Sequence, residues 1–212
     1  MIYYPELNKI ILSEPHFLIG GTPGSGKSVF LNTAVRSMTA AVPCNVFLLD
    51  PKRVEFSDLA RLSACARHET TTDGIYSALL EASGIMERRY REMERRGQKF
   101  TDRAPLFVVI DEVADLMLSP RKREIADLLQ HIAQLGRAAN IRMLIASQVI
   151  RADILSLKIT SNINGRVALR CRNALESRLI LGEPGAEFLP RYGEALIFTC
   201  DGLQKIKVPM YK

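Results

Sequence analysis

Short, unbroken apolar runs punctuate the chain at His16-Phe-Leu-Ile-Gly20, Val46-Phe-Leu-Leu49, Leu106-Phe-Val-Val-Ile110, Ile141-Arg-Met-Leu-Ile-Ala146 and Gly165-Arg-Val-Ala-Leu169. Runs of this length without polar alternation read as strands covered on both faces. Helical periodicity separates most of them. The longest helix is expected from about Asp73 to Arg96, with Ile75, Leu79, Met86, Tyr90 and Met93 on one face and Gly97 ending it. A second helix is expected from Arg121 to Ala139, and another opens near Lys27, directly after the first apolar run. Strands alternating with helices predict an α/β fold with a mostly parallel central sheet and helices on both faces. The tail, Ala195 to Thr199 and Lys205 to Val208 around Asp201-Gly202, predicts a C-terminal hairpin that adds antiparallel strands at one edge.

Composition narrows this picture. With 212 residues the chain is expected to form a single domain over 1–212. It lacks an N-terminal leader pattern and any apolar run of the ~18 residues that a membrane span needs, so a cytoplasmic protein without membrane insertion is expected. The cysteines Cys44, Cys65, Cys171 and Cys200 have no metal-ligand spacing and are expected to be reduced, mostly buried small hydrophobes. A net charge of +6 favours polyanionic partners, but only as a weak hint.

Chemistry enters at Gly21-Thr-Pro-Gly-Ser-Gly-Lys-Ser28, which fits G-x-x-x-x-G-K-[ST] between an expected strand and an expected helix. In this context the backbone N–H groups of Gly21, Thr22, Pro23, Gly24, Ser25 and Gly26 (proline excepted) form a cradle for the phosphates of ATP. Lys27 neutralises the β- and γ-phosphates, the Ser28 hydroxyl is a ligand for Mg²⁺, and Val29 closes the stretch. The second half of the site follows the run ending at Ile110. Asp111 is placed to hold Mg²⁺ through water, and Glu112 to act as general base on the attacking water. Gln148, just beyond the run ending at Ala146, is expected to reach the γ-phosphate or that water if its strand inserts between the P-loop strand and the Asp111 strand.

Two basic features are less specific. Arg137 suits the end of a helix through the helix dipole, yet in a ring of subunits it could reach a neighbour's γ-phosphate as an arginine finger. Arg151 and Lys158, with the loop residues Arg121, Lys122 and Arg123, are DNA-contact candidates or ordinary surface charge. The run Glu87-Arg-Arg-Tyr-Arg-Glu-Met-Glu-Arg-Arg96 interleaves its acids at helical spacing and reads as a solvated face or a subunit contact.

Together these blocks resemble the motor domain of the FtsK/SpoIIIE family of DNA translocases, in the FtsK–HerA branch of P-loop ATPases. The resemblance rests on Gly20-Gly-Thr-Pro-Gly-Ser-Gly-Lys-Ser-Val29, Leu49-Asp-Pro-Lys52, Met86-Glu-Arg-Arg-Tyr-Arg-Glu-Met93, Val109-Ile-Asp-Glu-Val-Ala-Asp-Leu-Met117, Gly136-Arg-Ala-Ala-Asn-Ile141 and Ala146-Ser-Gln148. It covers nearly the whole chain. It implies a RecA-like P-loop NTPase fold and an ATP-driven homo-oligomer, a hexameric ring that threads double-stranded DNA through its channel, with the finger position at Arg137. Family members usually continue from the glutamine into Arg-Pro, where this chain has Val149-Ile150, so either Arg151 replaces the missing basic residue or the grip on DNA is altered. Large members also carry a membrane segment, an accessory N-terminal subdomain and a winged-helix domain. The chain is therefore either a minimal motor from a plasmid, phage or mobile element or a piece of a longer protein, with direction supplied by a recruiting partner.

The rival reading is an ATPase of a secretion or conjugation system that moves protein or a protein–DNA complex. A nucleotide-binding assembly protein is disfavoured by Glu112 beside Asp111. A small-molecule kinase is disfavoured by the lack of a lid or acceptor signature.

Overall fold

The computed structural model describes residues 4–151 and 154–209. The helices are α1 (Pro5–Ser13), α2 (Lys27–Ala41), α3 (Thr72–Arg96), α4 (Val113–Leu116), α5 (Lys122–Leu135), α6 (Leu157–Thr160) and α7 (Ala174–Leu181). The strands are β1 (His16–Gly20), β2 (Asn45–Leu49), β3 (Cys65–Glu69), β4 (Leu106–Ile110), β5 (Ile141–Ser147), β6 (Gly165–Ala168), β7 (Glu194–Thr199) and β8 (Gly202–Lys207). They form one sheet of order β3-β2-β4-β5-β1-β6-β7-β8, parallel from β3 to β6 and antiparallel at the β7–β8 edge. The expected edge hairpin is present, and β5 does lie between β1 and β4.

Each central strand is apolar because both of its faces are covered. On one face Leu18, Val108, Ile110, Met143 and Ile145 pack beneath α3 and α5, which contribute Leu79, Met86, Leu129 and Ile132. On the other, Phe17, Ile19, Val109 and Leu144 meet Phe30, Leu31 and Met38 of α2 and Ile11 of α1. Burying side chains of this size stabilises the fold by about 1.5–3 kcal/mol apiece before the entropy of ordering is set against it.

One boundary and two burial expectations differ from the sequence reading. The second helix ends at Leu135 rather than Ala139, because residues 136–140 form a turn in which Asn140 takes a left-handed φ of 51°. Of the four cysteines only Cys171 is buried; Cys44 and Cys65 are half-buried and Cys200 is exposed. The basic run of α3 is not uniformly solvated either: Glu92 pairs with Arg96 and Arg103, while Arg89 is half-buried. Among the described residues no helix is long and apolar enough to cross a membrane.

Candidate active site

The parallel strands bring their C-terminal ends to one edge of the sheet, and the register of pairing aligns them. Gly20 of β1 lies opposite Ser147 of β5, and Ile110 of β4 opposite Ile145. The loops that follow β1, β4 and β5 therefore converge, carrying Lys27, Asp111, Glu112 and Gln148 to one place.

The loop after β1 turns sharply into α2. Gly24 and Gly26 hold φ values of 71° and 98°, a region closed to most side chains, and Gly26 caps the helix in this conformation. The loop is tied to the end of β6 by Thr22, whose N–H and hydroxyl both donate to the Arg170 carbonyl at 3.0 and 3.1 Å. Inside the loop the Lys27 ammonium donates to the carbonyls of Gly21 (2.7 Å) and Thr22 (3.0 Å). Burial is the main reason its pKa falls from 10.5 to about 8; the Lys52 charge adds to the fall, while Glu112 and Asp111 oppose it. The Ser25 hydroxyl is buried and has no hydrogen-bond partner among the described residues. A desolvated lysine and an unpaired hydroxyl in a glycine loop at a helix N-terminus are suited to phosphate oxygens.

Facing this loop, Glu112 is 3 % exposed and held from several sides. Its Oε1 accepts from the Ser147 hydroxyl at 2.7 Å, both its oxygens lie 3.1 Å from the Gln148 N–H, and Oε2 accepts from the Lys52 ammonium at 3.3 Å. Asp111 is equally buried, but Lys52 stands 4.0 Å from it and is its single ion-pair partner among the described residues. Burial first, and then the nearby charges of Glu55 and Asp50, push its carboxyl up from 3.8 to about 6, with Lys52 opposing. The buried, underpaired Asp111 carboxylate and the half-buried Ser28 hydroxyl at the start of α2 have the donor chemistry of a divalent-cation site: hard oxygen ligands and an electrostatic deficit that a cation relieves.

Gln148 and Gly21 line a cleft of about 280 Å³ together with Arg151, Arg172 and Glu176. Thr22 and Pro23 border another hollow with Arg170, Cys171 and Arg172, while Val29 is partly exposed on the outer face of α2. Arg137 is elsewhere. It is exposed in the turn preceding β5, at the opposite end of that seven-residue strand from Gln148. At ~3.3 Å per residue this places it roughly 20 Å or more from its own P-loop. Lys122 and Arg123 at the start of α5, and Lys158 on α6, are exposed on segments that follow β4 and β5. Arg121 is engaged locally, pairing with Asp73 and Glu124 and stacking 4.5 Å over the Tyr76 ring.

Sequence reasoning gave no role to Lys52, Ser147 or Asp50. Asp50 is wholly buried and its Oδ2 accepts from the N–H groups of Glu55 and Phe56, closing the loop that carries Lys52. The available signal was positional: Lys52 lies three residues beyond β2, the strand beside β4, so its loop opens at the same sheet edge.

An eight-stranded, mostly parallel sheet with a P-loop after β1 and an Asp-Glu pair after β4 defines a P-loop ATPase fold. Known proteins agree. The FtsK/SpoIIIE family model matches residues 3–104 and 93–152, and the chain belongs to this family. It is 34 % identical over 215 residues to the DNA translocase FtsK of Helicobacter pylori (strain ATCC 700392 / 26695), an alignment spanning 92 % of this chain and 25 % of that protein. It is 30 % identical over 224 residues to the DNA translocase FtsK of Chlamydia trachomatis, spanning 93 % of this chain and 28 % of that protein. The chain thus corresponds to about a quarter of the length of these relatives. Among solved structures, the cytoplasmic domain of the Thermomonospora curvata type VII secretion ATPase EccC aligns with a TM-score of 0.76 and 29 % identity over 92 % of this chain and 25 % of that one. The pCW3 conjugation coupling protein TcpA, in monomer form with ATPγS, aligns with a TM-score of 0.83 and 22 % identity over 94 % of this chain and 61 % of that one, a likeness of fold.

Proposed function

We propose that the chain is the motor domain of an ATP-driven double-stranded DNA translocase, acting in the cytoplasm as a ring of identical subunits that hydrolyses ATP where subunits meet. The observation that carries the reading is the convergence of Lys27, Asp111 and Glu112 at the C-terminal ends of β1 and β4, with β5 between them. Family membership and FtsK relatives at 30–34 % identity supply the substrate class.

In this reading Gly21 to Val29 hold the nucleotide, and Lys27 exchanges its two loop carbonyls for phosphate oxygens. Ser28 and Asp111 would hold Mg²⁺, which when bound offsets phosphate charge. Glu112 accepts a proton from the attacking water as the bond from the γ-phosphorus to the β,γ-bridging oxygen breaks and ADP leaves. Gln148 orients the water or the γ-phosphate. Arg137, too far from its own P-loop, acts on the site of a neighbouring subunit in a hexameric ring. Lys158, Arg151, Lys122, Arg123 and Arg121 are the proposed DNA contacts, Arg121 having to leave Asp73 and Glu124 to make one. A recruiting protein sets direction.

The test is steady-state ATPase activity with and without long duplex DNA at low and moderate salt. Stimulation by DNA that weakens with salt is expected. Glu112→Gln should lower turnover by roughly 10²–10⁴-fold. Turnover indifferent to DNA but dependent on a polypeptide signal would favour the second reading, a secretion ATPase, which the likeness to EccC supports.

A further inference from the structure

The α3 helix lies across α5, and one residue of its basic run points inward. Nη1 of Arg89 donates to the carbonyls of Ala139 (2.7 Å) and Asn140 (3.1 Å), and Nη2 to that of Ala104 (2.8 Å). No carboxylate pairs with this guanidinium among the described residues; its charge is directed at backbone oxygens.

Two of those oxygens, of Ala139 and Asn140, belong to the turn that carries Arg137, and the third belongs to the segment leading into β4. Every carbonyl from Leu135 to Asn140 is engaged. Leu135 accepts from the Tyr90 hydroxyl (2.8 Å), Gly136 from the Ile141 N–H, Arg137 from the Asn140 N–H and Ala138 from the Thr101 N–H. Ala139 accepts from Arg89, and Asn140 from Arg89 and the Leu106 N–H. At the start of the turn Gly136 leaves no room for a side chain, since a Cβ there would stand 2.6 Å from the carbonyl oxygens of Ile132 and Ile141. Asn140 closes it in the left-handed region, its amide donating to the Arg103 carbonyl at 3.1 Å. On this immobilised turn the Arg137 side chain alone is long and outward, with no hydrogen bond or ion pair among the described residues.

We infer that Arg89 is the positioning residue for Arg137: by clamping the Ala139 and Asn140 carbonyls it fixes the turn from which Arg137 reaches a neighbour's nucleotide. Arg89 acts through the backbone and touches no substrate. The inference rests on the role proposed above for Arg137. Charge-assisted bonds from a planar guanidinium suit this task, because one rigid fork spans two segments that a lysine ammonium could hold only at a point.

The experiment compares Arg89→Ala, Arg89→Lys, Arg137→Ala and the double Ala variant in ATP turnover with DNA, and mixes each with Glu112→Gln subunits. A displaced finger is expected to cost about 10²-fold in kcat, with KM for ATP little changed because the subunit's own P-loop is intact. The double variant should be no slower than Arg137→Ala. Mixing Arg89→Ala with Glu112→Gln should restore turnover, since each subunit supplies what the other lacks, whereas a general folding defect gains nothing from mixing. Arg89→Lys, which keeps the charge but loses the fork, should fall between wild type and Arg89→Ala; it carries the test if the alanine variant does not fold. Wild-type turnover in both Arg89 variants beside an inactive Arg137→Ala, additive losses in the double variant, or absence of rescue on mixing would each overturn this inference alone. Full turnover in Arg137→Ala would instead remove the Arg137 role itself, and this inference with it.

Discussion

Lys52 places an ammonium 3.3 Å from the proposed general base and 4.0 Å from the proposed magnesium carboxylate. It keeps two buried negative charges side by side, and removing it leaves them facing each other in a desolvated pocket. Lys52→Ala is therefore expected to lower kcat by about 10–100-fold, the equivalent of losing one charge-assisted hydrogen bond of ~1.5–3 kcal/mol. Nucleotide affinity in the absence of Mg²⁺ should change far less, because among the described residues the hydrogen bond and ion pairs of Lys52 go to Glu112 and Asp111 and not to the P-loop. Calorimetric binding beside steady-state kinetics separates the two; equal losses in both would contradict the assignment. The residues with a motif around them, Lys27, Ser28, Asp111 and Glu112, were legible from sequence because chain neighbours supply their context. Lys52 and Ser147 were not, because their partners are 60 and 35 residues away and meet them only through strand order.

Among the elements, the buried strands announced themselves by apolar runs, and the hairpin by its Asp-Gly turn. What stayed hidden had weaker patterns. The edge strand β3, Cys65-Ala-Arg-His-Glu69, is half-exposed and has no apolar run. Helix α7 is eight residues long, and its start is marked by a capping pattern easily passed over: Asn173 accepts from the Glu176 N–H, and Glu176 accepts in return from the Arg172 N–H. Pairing within the sheet also creates a titratable weak point. His16 at the start of β1 is wholly buried, its Nδ1 accepting from the Met143 N–H of β5 at 3.2 Å and its Nε2 without a hydrogen-bond partner among the described residues. Burial, aided by the Arg142 charge, lowers its pKa from 6.5 to about 3. The folded state thus binds fewer protons than the unfolded state between those values, so this group removes stability as pH falls from 6.5 towards 3. From neutrality to pH ~5 the loss is about 2 kcal/mol. His16→Asn keeps an acceptor without a titration, and its urea midpoint should depend less on pH over that range. Parallel curves for wild type and variant would contradict this.

At the scale of the whole molecule, sheet order separates the two halves of the proposed chemistry. The P-loop and Glu112 share one edge, while Arg137 stands at the far end of β5, so the role proposed for Arg137 requires a second copy of the chain. The strand between Arg137 and Gln148 was legible as the apolar run from Ile141 to Ala146; what the sequence does not record is the order of strands that puts Gln148, and not Arg137, beside the P-loop. Hydrolysis is proposed to move duplex DNA. The most direct test is ATP-driven displacement of a third strand from a triplex placed at the end of a long duplex. Displacement by the wild-type protein is expected to require ATP, to be delayed in proportion to the length of duplex crossed and to disappear in Glu112→Gln. Vigorous ATP hydrolysis on the same DNA without displacement at any duplex length would contradict it.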